Sequence, residues 1–330
     1  MKLRAFSWIA NAPLLVMLAV APSFAADITA EGSFERTLKV SGPVNLDVTT
    51  GSGRINVRAG EPGTMRVLGT IRAGTGWHID RAEAEAKVRR LEANPPIEQN
   101  GNVVRIGRIE DEDLRRNVSI SYELVVPAET RLRSETGSGS QTIDGIRGPL
   151  EASAGSGSLK ISNIGAEAHA STGSGGIELD TIQGNVHAST GSGHIRGTRI
   201  AGGVNGHTGS GDVELEQTAP GNDEIETGSG SVEVRGLRGS LRVRTGSGRI
   251  TAQGEPTGEW RLHTGSGSVT VRLPQQAAFD LYARTSSGRI HTNHTITVEG
   301  TLNRREVRGK VRGGGHLVDV STSSGSVEID

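Results

Sequence analysis

Apolar and polar residues alternate with period two through most of the chain. The alternation runs in short arms, broken at near-constant intervals by one phrase. Thr-Gly-Ser-Gly or a close variant begins at Thr50, Thr136, Ala154, Thr172, Thr190, Thr208, Thr227, Thr245, Thr264, Thr285 and Thr322. From Thr136 to Thr264 the steps are 18, 18, 18, 18, 19, 18 and 19 residues, and the last two are 21 and 37. Five positions before the first residue of the Gly-Ser-Gly triplet stand Leu46, Leu132, Leu150, Ala168, Val186, Val204, Asp223, Leu241, Trp260, Leu281 and Val318. Four positions after it stand Ile55, Gln141, Leu159, Ile177, Ile195, Val213, Val232, Ile250, Val269, Ile290 and Val327. Period two within an arm means a strand with one face inside. Asp223, Gln141 and Gly206 interrupt the inward columns and mark irregular rungs.

One repeat cannot bury its inward face alone, so repeats must stack in register. The pattern therefore predicts an all-β fold, a single-stranded parallel β-solenoid (β-helix) of about 18–19 residues per rung. Eleven rungs would make a rod on the order of 50 Å long. The triplet glycines are expected where a corner needs positive φ or close backbone approach, with the serines bonding local backbone. The Thr before each triplet is expected to face inward, its hydroxyls bonding along the column. An outward column supports the register: Lys160, Glu178, Arg196 and Glu214 alternate in sign, as opposed cross-strand neighbours prefer, until Glu233 breaks it.

Residues 26–130 read as a β-rich region that already holds one full copy of the phrase, Leu46–Val57. Asp80 with Glu83 is a capping-box signature, Ala84, Val88 and Leu91 share a helical face, and Pro95-Pro96 stops the pattern. A helix near 81–93 follows, with the solenoid proper at 131–330. Residues 1–25 read as a signal peptide: Lys2 and Arg4 precede the apolar run Leu14–Val20, and Ser23-Phe24-Ala25 supplies small residues at −3 and −1. Export to the periplasm, cell envelope or exterior is expected.

Composition narrows the picture. Aromatics are 3% and glycines number 48, which suits a thin aliphatic core. There is no cysteine, hence neither disulfide nor lipidation site of the cysteine type. Basic and acidic residues number 36 and 37, and removing the leader with Lys2 and Arg4 leaves a mildly acidic chain, so no nucleic-acid partner is expected.

The Thr-Gly-Ser-Gly-x-Ile/Val repeats, the phrase Val118–Pro127 leading into them and the ending Gly313–Ile329 together resemble the DUF4097 family of bacterial adhesin-like proteins. That resemblance implies a solenoid-like envelope protein and carries no catalytic or binding residue across.

The candidate chemistry is sparse. Equivalent serines in many copies are turn residues rather than a nucleophile, since no G-x-S-x-G elbow occurs. No phosphate-loop pattern follows the glycines. The 18-residue period lacks the recurring Asp of calcium repeats. Its unequal aliphatic spacing does not fit three hexapeptides. His169 and His187 fall in one outward column of adjacent rungs, and His291 and His294 lie near a turn, but without a converging carboxylate neither pair makes a metal site. No metal and no cofactor are expected.

Arg304, Arg305, Arg308, Lys310 and Arg312 concentrate positive charge in what reads as a degenerate rung. They are the candidate patch for an anionic envelope polymer or lipid headgroup. The reading is an exported non-enzymatic adhesin or envelope scaffold, with partners among envelope polysaccharide, lipid headgroups or surface proteins. The alternatives are an accessory of envelope-stress sensing, or a lyase-like enzyme acting on polysaccharide, which would need clustered carboxylates beside an Arg or Lys. The last copy of the phrase ends at Ile329, and read as the final rung it would expose core and unpaired backbone, an invitation to end-to-end self-association.

Overall fold

The computed structural model describes residues 30–74, 80–298 and 303–330. The leader at 1–25 lies outside the described residues. All eleven copies of the repeat phrase stack in one parallel β-solenoid with two sheets joined at the Gly-Ser-Gly corners. The arms before the corners form one sheet, with Leu132, Leu150, Ala168, Val186 and Val204 in successive register. The arms after the corners form the other, with Gln141, Leu159, Ile177, Ile195 and Val213 in register. The inward columns are buried along the rod, with Ile290 at one end half-buried.

The corners are held by the threonine, not by the serine. Thr190 is 2% exposed, and its hydroxyl donates to the Gly175 carbonyl of the preceding rung at 2.9 Å and accepts from the Gly193 N–H of its own corner at 3.1 Å. The bond to the preceding rung recurs from Thr172, Thr208, Thr227, Thr245 and Thr264. The expected hydroxyl column is therefore a hydroxyl-to-carbonyl ladder, not a hydroxyl-to-hydroxyl one. Among the described residues the triplet serines are exposed at the corner tips and their hydroxyls make no hydrogen bond. The second glycine of each triplet is there for close approach: a Cβ on Gly193 would sit 1.9 Å from the Gly175 carbonyl oxygen. The left-handed backbone falls at the other corner instead, on Gly145, Asn163, Thr181, Arg199 and Gly236.

The helix forms at Arg81–Ala93, with Asp80 accepting from the Glu83 N–H at 2.8 Å, and buries Ala84, Val88 and Leu91. It packs on the strands Ala30–Lys39 and Thr64–Ala73. The first rung, Val44–Gly60, belongs to the same stack as the rest. Its first arm pairs with Val103–Ile106 on one side and Thr130–Thr136 on the other. Its second arm lies between Val118–Pro127 and Gln141–Asp144. Beyond it the antiparallel strands Thr64–Ala73 and Ala30–Lys39 close this end.

The other end is built the same way, and here the structure corrects the sequence reading. The last copy is not the terminal rung. The strand His316–Thr322 lies between Trp260–Thr264 and Phe279–Thr285. Val327–Ile329 lies between Val269–Arg272 and Ile290–Thr292. The residues after Thr285 make no degenerate rung either: Glu306–Val311 runs antiparallel along Phe279–Thr285, and Ile296–Val298 runs antiparallel along it in turn. The Ile329 end of the chain therefore offers no bare core cross-section, because placing the last repeat inside leaves an antiparallel hairpin to cover the stack. This removes the ground for end-to-end assembly through the final copy.

Thr190→Asp should destabilise severely, because it puts a carboxylate where a buried hydroxyl bridges two rungs. Thr190→Val, which keeps shape and loses both hydrogen bonds, should cost about 1–3 kcal/mol; urea denaturation checks both, and an unchanged midpoint would contradict the buried ladder. Thr181 is a β-branched residue at φ 57°, and Asn163 holds the same place one rung away. Thr181→Asn should therefore raise stability by about 1 kcal/mol, readable as a higher melting temperature.

Candidate functional site

The outward face of the sheet made by the pre-corner arms carries one unbroken column. It runs Glu151, His169, His187, Asn205, Glu224, Arg242, Arg261, Asp319 and Tyr282, each paired in register with the next. Adjacent members are about 4.8 Å apart along the axis. Beside this column, from Asn185 to Arg261, runs an open groove of about 870 Å³. Its charged walls are neutralised in pairs: Arg242 with Glu224 at 3.7 Å and Arg261 with Glu259 at 2.8 Å. Ser240 donates to Asn222 at 2.6 Å, and the Gly203 N–H donates to Asn185 at 3.0 Å. Each exposed pair adds at most a fraction of a kcal/mol, so these contacts position side chains more than they stabilise.

The floor of the groove holds Asp223, 3% exposed, where neighbouring rungs have Val204 and Leu241. This rung is one residue longer than those before it, and its second corner lies at 218–220, between the strands Val213–Gln217 and Gly221–Thr227. In other rungs the N–H of this column donates to a backbone carbonyl, as Val186 does to Gly203 and Leu241 to Glu259. Val204 N–H donates instead to Asp223 Oδ1 at 2.9 Å. The carboxylate replaces a main-chain acceptor in the ladder. Gln217 donates to both its oxygens at 2.8 and 3.0 Å, leaving the Gln217 Oε1 buried without a partner. Burial pushes the Asp223 carboxyl up to about 6, against the lowering pull of those two hydrogen bonds. The other interruption is also satisfied: Gln141 accepts from the Ser134 hydroxyl at 2.6 Å and donates to the Ser153 carbonyl at 2.5 Å.

The second-arm sheet presents the charge ladder read from the sequence in the predicted register. Arg196 meets Glu214 at 2.9 Å, and Glu233, which broke the alternation, turns to Arg235 at 2.7 Å. The five basic candidates do not form one patch. Arg308 and Lys310 lie on the outward face of Glu306–Val311, opposite Tyr282 and Asp280. Arg304 and Arg305 occupy the turn before that strand, and Arg312 just past it donates to the Gln275 carbonyl at 2.8 Å. The period-two alternation of Glu306–Val311 marks Arg308 and Lys310 as face-mates; nothing local in the sequence places Tyr282 beside them. Asp319, next to Tyr282 in the column, has its carboxyl raised by burial, opposed by Arg261 and Arg284.

His169 and His187 stack with ring centroids 5.4 Å apart and an interplanar angle of 14°. His294 packs edge-on to Phe279 at 5.5 Å, while the exposed His291 bonds Asn293. Among the described residues no group of three or more His, Cys, Asp or Glu side chains is placed to hold a metal ion.

A family model described as Toastrack DUF4097 matches residues 117–215 and 184–330. Two crystal structures are similar. One is a Clostridium sporogenes protein provisionally described as a cell adhesion protein, 12% identical, with 90% of this chain and 99% of that chain covered and a TM-score of 0.23. The other is a Bacteroides fragilis protein provisionally described as an adhesin, 10% identical, with 91% and 97% covered and a TM-score of 0.32. No curated protein matches the chain.

Asp223 sets a pH dependence of stability. Its folded pKa of about 6 lies above the ordinary 3.8, so the folded state holds the proton more tightly. Stability should be greatest below about pH 4 as far as this group is concerned, and should fall as pH rises through 6. Asp223→Asn keeps an acceptor for Val204 N–H, with the Gln217 amide turned over to accept. That variant should be more stable than the parent at pH 8, by on the order of 2–3 kcal/mol, with the gain vanishing near pH 4. Urea titrations at both pH values check it.

Proposed function

Because the chain belongs to the DUF4097 (toastrack) family, we propose that it is an exported, non-enzymatic solenoid that acts as an adhesin or scaffold of the cell envelope. The observation that carries this reading is the outward column from Glu151 to Tyr282, which holds polar and charged side chains at fixed spacing along the rod. A rigid row of this kind matches an extended, repeating partner better than a compact one. Its entropy cost on binding is low because the side chains are already braced by their neighbours. The neutralised groove walls favour hydrogen bonding to hydroxyl-rich polymers over attraction to one sign of charge.

A lyase-like action on polysaccharide has one observation in its favour: Asp223, Glu224 and Glu259 share the groove with Arg242 and Arg261. Against it, Glu224 and Glu259 are ion-paired and Asp223 is engaged by the Val204 N–H and Gln217. A general base must be free to take a proton from substrate, and these carboxylates are already occupied.

Two measurements test the proposal. A tagged full-length chain should be exported, its product beginning at Ala26. Purified residues 26–330 should be retained on cell-envelope material, and the double variant Asn205→Leu with Asn222→Leu should lose most of that retention at unchanged melting temperature. Retention in the cytosol, or release of shortened chains from envelope polysaccharide, would overturn it.

A further inference from the structure

The outward column ends on an aromatic ring. Phe34, Tyr122, Trp260 and Phe279 are all buried, which leaves Tyr282 as the partly exposed aromatic among the described residues. It sits on Phe279–Thr285, flanked on its own strand by Asp280 and Arg284, which face outward with it. Across the sheet it has Asp319 on one side and Arg308 on the other. A depression of about 320 Å³ opens here, with Tyr282, Leu317, Arg308 and Lys310 around it. The charge state differs from that at the middle of the face. Arg242, Arg244 and Arg261 are each ion-paired with a glutamate. Arg308 makes no ion pair among the described residues, and Arg284 makes no direct one, acting on Asp319 only at longer range.

We propose that Tyr282, Arg308 and Arg284 form the end subsite for an acidic saccharide chain that lies along the outward column. This rests on the envelope-binding reading above and names its ligand class. A phenol ring offers a flat apolar surface to the C–H face of a sugar while its hydroxyl stays in water. A guanidinium that makes no direct ion pair among the described residues offers a planar fork to a carboxylate or sulfate. Lys310 stands opposite Asp280 in the same depression. The column explains why the ligand is a chain: the ring and the groove at Asn185–Arg261 share one face and one register, so a polymer occupying the groove is led to Tyr282.

The alternative anionic partner, a lipid surface, fits less well. Membrane docking by a few basic residues is reinforced by exposed apolar anchors. Among the described residues the one large apolar side chain that is exposed is Val103, at the opposite end of the rod.

The test uses residues 26–330 with two probes, a galacturonate hexamer and a heparin-derived hexasaccharide, with a neutral glucose hexamer and phosphatidylglycerol vesicles for comparison. Calorimetry should show at least one acidic hexamer binding about tenfold or more tightly than the neutral one. Tyr282→Ala and Arg308→Gln should each weaken it about tenfold or more. Tyr282→Phe, which keeps the ring, should bind as the parent does and separates loss of the platform from loss of folding. Arg304→Ala with Arg305→Ala, in the turn, should change little. Binding of neither acidic hexamer, equal binding by Tyr282→Ala, or preference for vesicles over both hexamers would overturn the proposal. Envelope retention that survives in Tyr282→Ala would remove this subsite and leave the broader reading standing.

Discussion

The structure depends on how closely successive corners approach. At each triplet the second glycine lies so near the carbonyl of the rung before it that no side chain fits between them. The threonine hydroxyl binds that same carbonyl and, in several rungs, also its own corner N–H. One small residue and one hydroxyl thus fix the rise, the lateral position and the direction of every new rung. Once the corners are registered, the inward columns meet like with like and close an aliphatic core with few large rings. The outward columns become straight rows without further specification. Ala154, which has no hydroxyl, shows that one missing bridge is tolerated when the rungs on both sides are locked.

Much of this was legible in the sequence because a repeat states the same constraint many times. The two arms, the register, the helix at Arg81–Ala93 and the Lys160–Glu178–Arg196–Glu214 ladder all follow from local alternation and spacing. What was not legible is the order of the rungs at the ends. The residues of the Thr322 copy look like those of any other copy, and nothing in them says that they slip between the Thr264 and Thr285 copies. That choice is made by distant surfaces competing for the same edge. It also moved the basic segment from a supposed rung to an antiparallel strand. Tyr282 carried no signal for the same reason: its neighbours Asp319 and Arg308 are far along the chain, one brought beside it by the inserted rung and the other by the antiparallel strand Glu306–Val311.

Asp223 shows how the solenoid absorbs an irregularity. One extra residue widens a corner, and a side-chain carboxylate takes the place of a main-chain acceptor so that the ladder continues. The compensation leaves a raised pKa and an orphaned amide oxygen on Gln217. Apolar columns tolerate a polar pair here because each member finds the other, as Gln141 finds Ser134 and the Ser153 carbonyl.

The inward placement of the first and last rungs has a mechanical meaning. A tether pulling on Ile329 does not lift an edge strand that could unzip bond by bond. It pulls on a strand hydrogen-bonded to a neighbour on each side, so two ladders must fail before it comes free. The first rung is gripped in the same way at the opposite end. Tension applied at Ile329 would therefore load an interior strand in shear along its length while the antiparallel hairpin at that tip stays unloaded, whereas a pull at the other end meets Ala30–Lys39 first, a strand with a single partner.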